Sequence, residues 1–119
     1  MPDGTDPLEV LKPNECAPQL RALADPERLR IIGALRDGPK NVGQLAARLG
    51  SPVVNVSHHL RLLRQAGLVL DRKCGRFVVY RLDPAVYRPR CGAEAEHLDL
   101  GCCRLEIPAP EKPPRAKRR

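Results

Sequence analysis

The stretch SPVVNVSHHLRLLRQAG, Ser51 to Gly67, carries both of its boundaries in its own residues. Ser51 is placed to cap the first free amides of a helix, Pro52 suits the first helical position because its missing N–H is not needed there, and Gly67 supplies a left-handed residue past the end. Val53, Val56, Leu60 and Leu63 recur at helical spacing and predict a core-facing stripe. Val54, Asn55, Ser57, His58, Arg61 and Gln65 then face the other way. Short polar and guanidinium groups of this kind meet base edges and phosphates in a major groove. His59 falls between the two faces, and packing or a local hydrogen bond competes there with contact to DNA.

The flanking segments fit around that helix. Asp25 as cap and Pro26 at the first helical position open DPERLRIIGALRDG, with Leu29, Ile32 and Leu35 on one side, Ile31 beside them, and Gly38 and Pro39 as terminators. A shorter helix is expected before it, from about Glu15 to Ala24, with Leu20 and Leu23 as its apolar face. Asn41 followed by Gln44 has the spacing of a capping box, and Val42, Leu45, Ala46 and Leu49 predict the buried face of a short helix closed by Gly50. Two helices joined by a tight turn, the second with a polar outer face, make a helix-turn-helix.

After Gly67 the apolar period shortens. Leu68 to Leu70 and Arg76 to Leu82 are rich in strand formers, and Asp71 to Gly75 reads as the intervening turn, so a β-hairpin follows the long helix. Arg72, Lys73 and Arg76 at its tip suit a wing lying along a phosphate backbone. The fold class expected is mainly α with a small β-hairpin, a winged helix-turn-helix over residues 15–90. Residues 1–14, rich in proline, form a flexible arm. Residues 91–107 form a cysteine-containing segment; Pro89 disfavours a long helix after Tyr87, which leaves a short helix or a loop with an extended stretch both open there. Residues 108–119 form a disordered basic tail.

Composition narrows the partners. Lys and Arg number 21 against 14 Asp and Glu, a net charge of +7, which favours a polyanion. Four of those charges sit in the tail, where Lys112, Arg115, Lys117, Arg118 and Arg119 face one acid, so the folded part is only mildly basic. With no Trp, one Phe and two Tyr the chain lacks stacking platforms for single strands, and duplex DNA is the better partner. No apolar run is long enough to span a membrane and the N-terminus lacks a signal-peptide pattern, so a cytoplasmic protein with no membrane partner is expected. Five cysteines, an odd number placed mostly late, argue for reduced thiols. No nucleophile with a base partner, paired carboxylates or phosphate loop appears, so an enzyme is not expected.

LADPERLRIIGAL (Leu23 to Leu35), VGQLAARLG (Val42 to Gly50), VSHHLRLLRQAGLV (Val56 to Val69) and GRFVVYRL (Gly75 to Leu82), in that order, resemble the ArsR/SmtB winged-helix repressors. The resemblance implies a homodimer on an imperfect inverted repeat, released when a metal or other inducer binds, with the terminal segments forming the dimer interface. Ser57, His58, His59 and Arg61 match the family's recognition-helix signature, and Gly75 and Arg76 its wing. Two departures stand out. Where the family has a CxC thiolate site, this chain has Asn41-Val42-Gly43, and His97 alone cannot supply the paired Asp and His ligands of the family's C-terminal zinc site.

What the chain offers instead is CGAEAEHLDLGCCRLEIP, with Cys91, Cys102 and Cys103. Soft thiolates select thiophilic ions, and three sulfurs with an open fourth direction suit arsenite or antimonite above Hg(II), Cd(II) or Zn(II). Similar members that sense arsenite use an adjacent cysteine pair plus a third cysteine near the C-terminus. Neighbouring cysteines rarely bond to each other, so Cys102 and Cys103 read as a chelating pair. Cys16 is a candidate fourth ligand, and Cys74, at the wing tip, is left out. Three alternatives stay open: buried cysteines of purely structural role, a thiol redox or persulfide sensor joining Cys91 or Cys16 to one of the pair, and a constitutive DNA-binding or interaction module without inducer.

Overall fold

A computed structural model describes residues 7–108; the basic tail from 109 onward and the first six residues lie outside the described residues. Four helices come first: α1 (Pro13–Leu23), α2 (Pro26–Leu35), α3 (Val42–Leu49) and α4 (Val53–Gln65), with a two-residue strand β1 (Lys40–Asn41) between α2 and α3. The hairpin β2 (Val69–Cys74) and β3 (Phe77–Leu82) follows, then β4 (Tyr87–Arg88), β5 (His97–Asp99) and β6 (Arg104–Glu106).

Local signals set most helix ends. The Asp25 carboxylate accepts from the amides of Glu27 (2.8 Å) and Arg28 (3.1 Å), and those donors hold its carboxyl below the usual range. Asn41 and Gln44 form the full reciprocal capping box, each bond 2.8 Å. Gly50 and Gly67 adopt the positive φ required past α3 and α4, at 68° and 80°.

The start of α4 departs from expectation. Pro52 is the N-cap and no side chain caps the helix. The Ser51 hydroxyl instead donates to the Glu27 carboxylate, tying this turn to α2. Val53, expected in the core-facing stripe, is 52% exposed, while Val56, Leu60 and Leu63 are fully buried. Helix α1 begins two residues earlier than expected and continues through Pro18, and residues 7–9 of the expected arm form a single 3-10 turn. Asp71 to Cys74 belong to β2 rather than to the turn, leaving only Gly75 and Arg76 between the strands.

The core is the meeting of α2, α3, α4 and the hairpin base: Ile31, Ile32, Leu35, Leu45, Leu60, Leu63, Leu68 and Val69 form one cluster. Burying side chains of this size stabilises by about 1.5–3 kcal/mol each before chain entropy is charged against it. Leu20 and Leu29, expected in the core, are 48% and 46% exposed. The register of α2 turns Ile31 inward and Leu29 outward, because Ile31, Ile32, Ala34 and Leu35 already fill its buried side.

Two antiparallel sheets flank the core. The first has the order β1-β3-β2, with Lys40 opposite Tyr80 and Val69 opposite Leu82. The second has the order β4-β5-β6 and occupies the C-terminal segment, adding to the single hairpin that the sequence predicts. Leu98 and Leu100 join the core from it. Arg36, the C-cap of α2, grips the Glu96 carboxylate with two bonds of 2.5 Å, and the Tyr87 hydroxyl donates to the same group.

Candidate functional site

Helix α4 is held by its buried residues against α2 and α3, which leaves its other side outward. Val54, Asn55, His58, Arg61 and Gln65 are exposed and Ser57 is half-buried. Arg61, Arg72, Lys73 and Arg76 form no ion pair among the described residues, and the last three lie exposed on β2 and its turn. By contrast Arg64 is held at 2.8 Å by Asp71, which fastens the helix end to the wing. Unpaired cations on an outward helix and an adjoining hairpin form the arrangement that can follow a groove and its phosphates.

His59 stands apart from that surface. Its Nε2 lies 3.3 Å from Glu27 Oε1 and its Nδ1 lies 3.2 Å from Arg28 Nη1, with the side chain only 15% exposed. Both ring nitrogens therefore have partners within the subunit. Arg28 reaches further: its Nε donates to the Ala22 carbonyl at 2.6 Å and its Nη2 to Arg21 at 3.5 Å, at the last turn of α1. One guanidinium thus joins the C-terminal end of α1 to α4. The sequence marks Glu27 and Arg28 only as first-turn residues of α2, and nothing in their spacing gives away this bridge.

The second constellation is made of sulfur. Cys16, buried on α1, is disulfide-bonded to Cys102, 86 residues later. The Cys103 Sγ lies 3.9 Å from the Sγ of each, and the three sulfurs lie within 4.8 Å of one another. The pair is presented by the turn between β5 and β6, closed by Leu100 N–H donating to the Cys103 carbonyl at 2.9 Å and by Gly101 N–H donating to Asp99 at 2.9 Å. Gly101, at φ 87°, makes that turn possible.

This arrangement corrects two expectations. The thiols are not all reduced, because Cys16 and Cys102 are bonded. Cys91 also lies outside the cluster. It is exposed in a tight turn whose backbone pairs with Glu94, next to Arg88, His97 and Arg104. Cys16, the optional ligand in the sequence, lies in the cluster; Cys74, exposed at the end of β2, is outside it like Cys91. A tetrahedral thiolate site with metal–sulfur bonds of about 2.3 Å spaces its sulfurs by about 3.8 Å. The two distances from Cys103 fit that spacing, and breaking the Cys16–Cys102 bond is the one change the third distance needs.

His97 is buried and its Nδ1 is engaged by the Ala95 carbonyl at 2.8 Å. No helix among the described residues is long and apolar enough to cross a membrane.

Comparison with known proteins returns a consistent neighbourhood. The family model described as "Bacterial regulatory protein, arsR family" matches residues 25–70, from the cap of α2 into β2. The HTH-type transcriptional regulator NmtR of Mycobacterium tuberculosis is 40% identical over 104 residues, 80% of this chain and 82% of that protein. The crystal structure of a possible transcriptional regulator for arsenical resistance superimposes with a TM-score of 0.54 at 46% identity, over 56% of this chain and 70% of the other. The solution structure of a Mycobacterium bovis protein, described as the homodimeric winged helix-turn-helix DNA-binding domain of a possible ArsR-family regulator, gives 0.60 at 29% identity, covering 67% and 74%.

Proposed function

Since this chain belongs to the arsR family of bacterial regulatory proteins, we propose that it is a homodimeric transcriptional repressor in the cytoplasm that releases its operator when arsenite or antimonite binds its sulfur cluster. Helix α4 enters the major groove with Val54, Asn55, Ser57, His58, Arg61 and Gln65 toward the bases, and Arg72, Lys73 and Arg76 follow the phosphates. His59 serves this surface from behind, by fixing α4 to α2.

The observation that carries the inducer reading is the convergence of Cys16, Cys102 and Cys103 from opposite ends of the chain. Two electrons and two protons from a cellular dithiol open the Cys16–Cys102 bond. Three thiols then exchange with arsenous acid, forming three arsenic–sulfur bonds and releasing three waters. Trivalent arsenic and antimony accept three sulfurs and keep a lone pair on the fourth side, which suits a cluster with one exposed member; Hg(II), Cd(II) and Zn(II) are the competing ions.

A contiguous set of contacts supports coupling. Cys16 sits on α1, the last carbonyls of α1 are held by Arg28, and Arg28 touches His59 on α4. An ion that binds the DNA-free shape better lowers DNA affinity by the same factor.

The test is fluorescence anisotropy of the reduced protein on a duplex from upstream of its own gene, titrated with arsenite, antimonite, Hg(II), Cd(II) and Zn(II). Arsenite is expected to weaken binding on the order of tenfold or more, within the usual range of coupling. No response to any ion overturns the inducer reading, and no duplex binding at all overturns the DNA reading.

One observation favours a second reading, a thiol-redox repressor of the same fold: the Cys16–Cys102 bond itself. In that case diamide, with no metal present, shifts operator affinity and arsenite does not.

A further inference from the structure

The second sheet ends in a strand with no neighbour on its outer side among the described residues. In the order β4-β5-β6, β6 is an edge, and Arg104, Leu105 and Glu106 are all exposed. We infer that β6 is a self-pairing strand, which joins two copies of this chain edge to edge about a twofold axis through Leu105. This rests on the dimeric reading above and says where that dimer closes.

The hydrogen-bond phase of the hairpin decides which groups are available. Leu100 N–H donates to Cys103 at 2.9 Å and Ile107 N–H donates to Glu96 at 2.8 Å, and antiparallel bonded pairs recur every second residue. Leu105 therefore spends its amide and carbonyl on Leu98, its register partner. The amides and carbonyls of Arg104 and Glu106 point to the open edge. An antiparallel copy centred on Leu105 sets each Arg104 against Glu106 of the partner subunit, both at bonded positions, and closes four main-chain hydrogen bonds.

The side chains match only in that register. Arg104 and Glu106 share one face of the strand, so each pair across the axis is a cation against an anion, which is favourable across antiparallel strands. Centring the axis on Arg104 or on Glu106 sets like charges opposite each other. The ion pair of Arg104 with Glu94 in the same subunit, 2.7 Å, leaves other guanidinium donors for the partner.

Three residues of strand are too few to hold a dimer alone, and the other face of β6 supplies apolar area. Leu105, 43% exposed, lines one hollow with Leu20 and Leu29, the two leucines the core leaves out. Pairing through β6 brings Leu105 of the partner subunit to that strip. A symmetric interface of this kind is self-complementary, as a closed twofold dimer requires. No proline or positive-φ residue interrupts Cys102 to Ile107 to protect the edge from pairing.

The experiment is sedimentation equilibrium on the full chain and on two variants, Arg104→Glu and Glu106→Arg, with thermal melting to verify that each folds. Wild type is expected to be a dimer. Each variant alone sets like charges across the axis twice and is expected to dissociate on the order of tenfold more readily. Mixed in equal amounts the two variants carry opposite charges at every pairing, so dimer returns as a heterodimer. The lost Glu94 contact of Arg104→Glu is the same in the mixture, so restoration reads the interface. Variants that dimerise like wild type, or a mixture that stays monomeric, overturn the β6 edge and leave the dimeric reading intact. A wild type that is monomeric with and without DNA overturns both.

Discussion

Arg36 and Glu96, 60 residues apart, meet side by side through two hydrogen bonds of 2.5 Å. That pair, with Tyr87 donating to the same carboxylate, fastens the C-terminal sheet onto α2. The sheet it holds in place presents both Cys102 and the β6 edge, so the pair supports two functional features that it does not touch.

Replacing Glu96 by Gln removes the charge and one good acceptor geometry, and is expected to cost about 2 kcal/mol of stability at neutral pH. The pH dependence has a definite sign. The Arg36 hydrogen bonds hold the Glu96 carboxyl below its ordinary value, against the opposing push of burial. A carboxyl lowered in the folded state stabilises at pH above its unfolded value, and that contribution is lost as pH falls from there through the folded value. Urea midpoints from pH 7 down to 3 should fall more steeply for wild type than for Glu96→Gln; parallel curves contradict the pairing.

Stability should separate Leu60 and Val53 of α4 by their burial. Leu60→Ala empties a fully buried position and is expected to cost about 3 kcal/mol. Val53→Ala, at a half-exposed position, should change stability by less than about 0.5 kcal/mol. Denaturant unfolding of both variants checks this, and equal losses would mean that the helix sits rotated from the orientation described.

Arg61 and His59 lie two residues apart and should behave differently. Arg61→Ala is expected to lose about 1–3 kcal/mol of operator affinity, with a smaller salt slope and an unchanged melting temperature. His59→Ala should lower stability by about 1 kcal/mol, since it removes the imidazole that Glu27 and Arg28 both contact. Anisotropy and melting measured on the same preparations distinguish the two, and an unaffected operator affinity for Arg61→Ala counts against the docking.

Thiol chemistry gives a direct count. With Cys16 and Cys102 bonded, three of the five cysteines are free, so a thiol titration on denatured protein should rise from three to five on reduction. In the reduced protein, Cys16→Ser and Cys103→Ser should each weaken arsenite binding on the order of tenfold or more, because two sulfurs remain of three. Cys91→Ser should leave it unchanged. Calorimetry decides between them, and a loss with Cys91→Ser alone would return Cys91 to the site.

The residues themselves determined the helix-turn-helix and the wing. Asp25, Asn41 with Gln44, Gly50 and Gly67 act within one turn of their own positions, so their effects are written in local spacing. The outward side of α4 followed from the period of Val56, Leu60 and Leu63 for the same reason. Tertiary structure alone decided the rest. Ser51 abandoned its cap for Glu27, His59 turned to Glu27 and Arg28, and Cys16 joined Cys102, because each choice joins groups from 24 to 86 residues apart. Sequence spacing carries the angle of a side chain around its own helix or strand. It carries nothing about which distant segment the folded core will set against it.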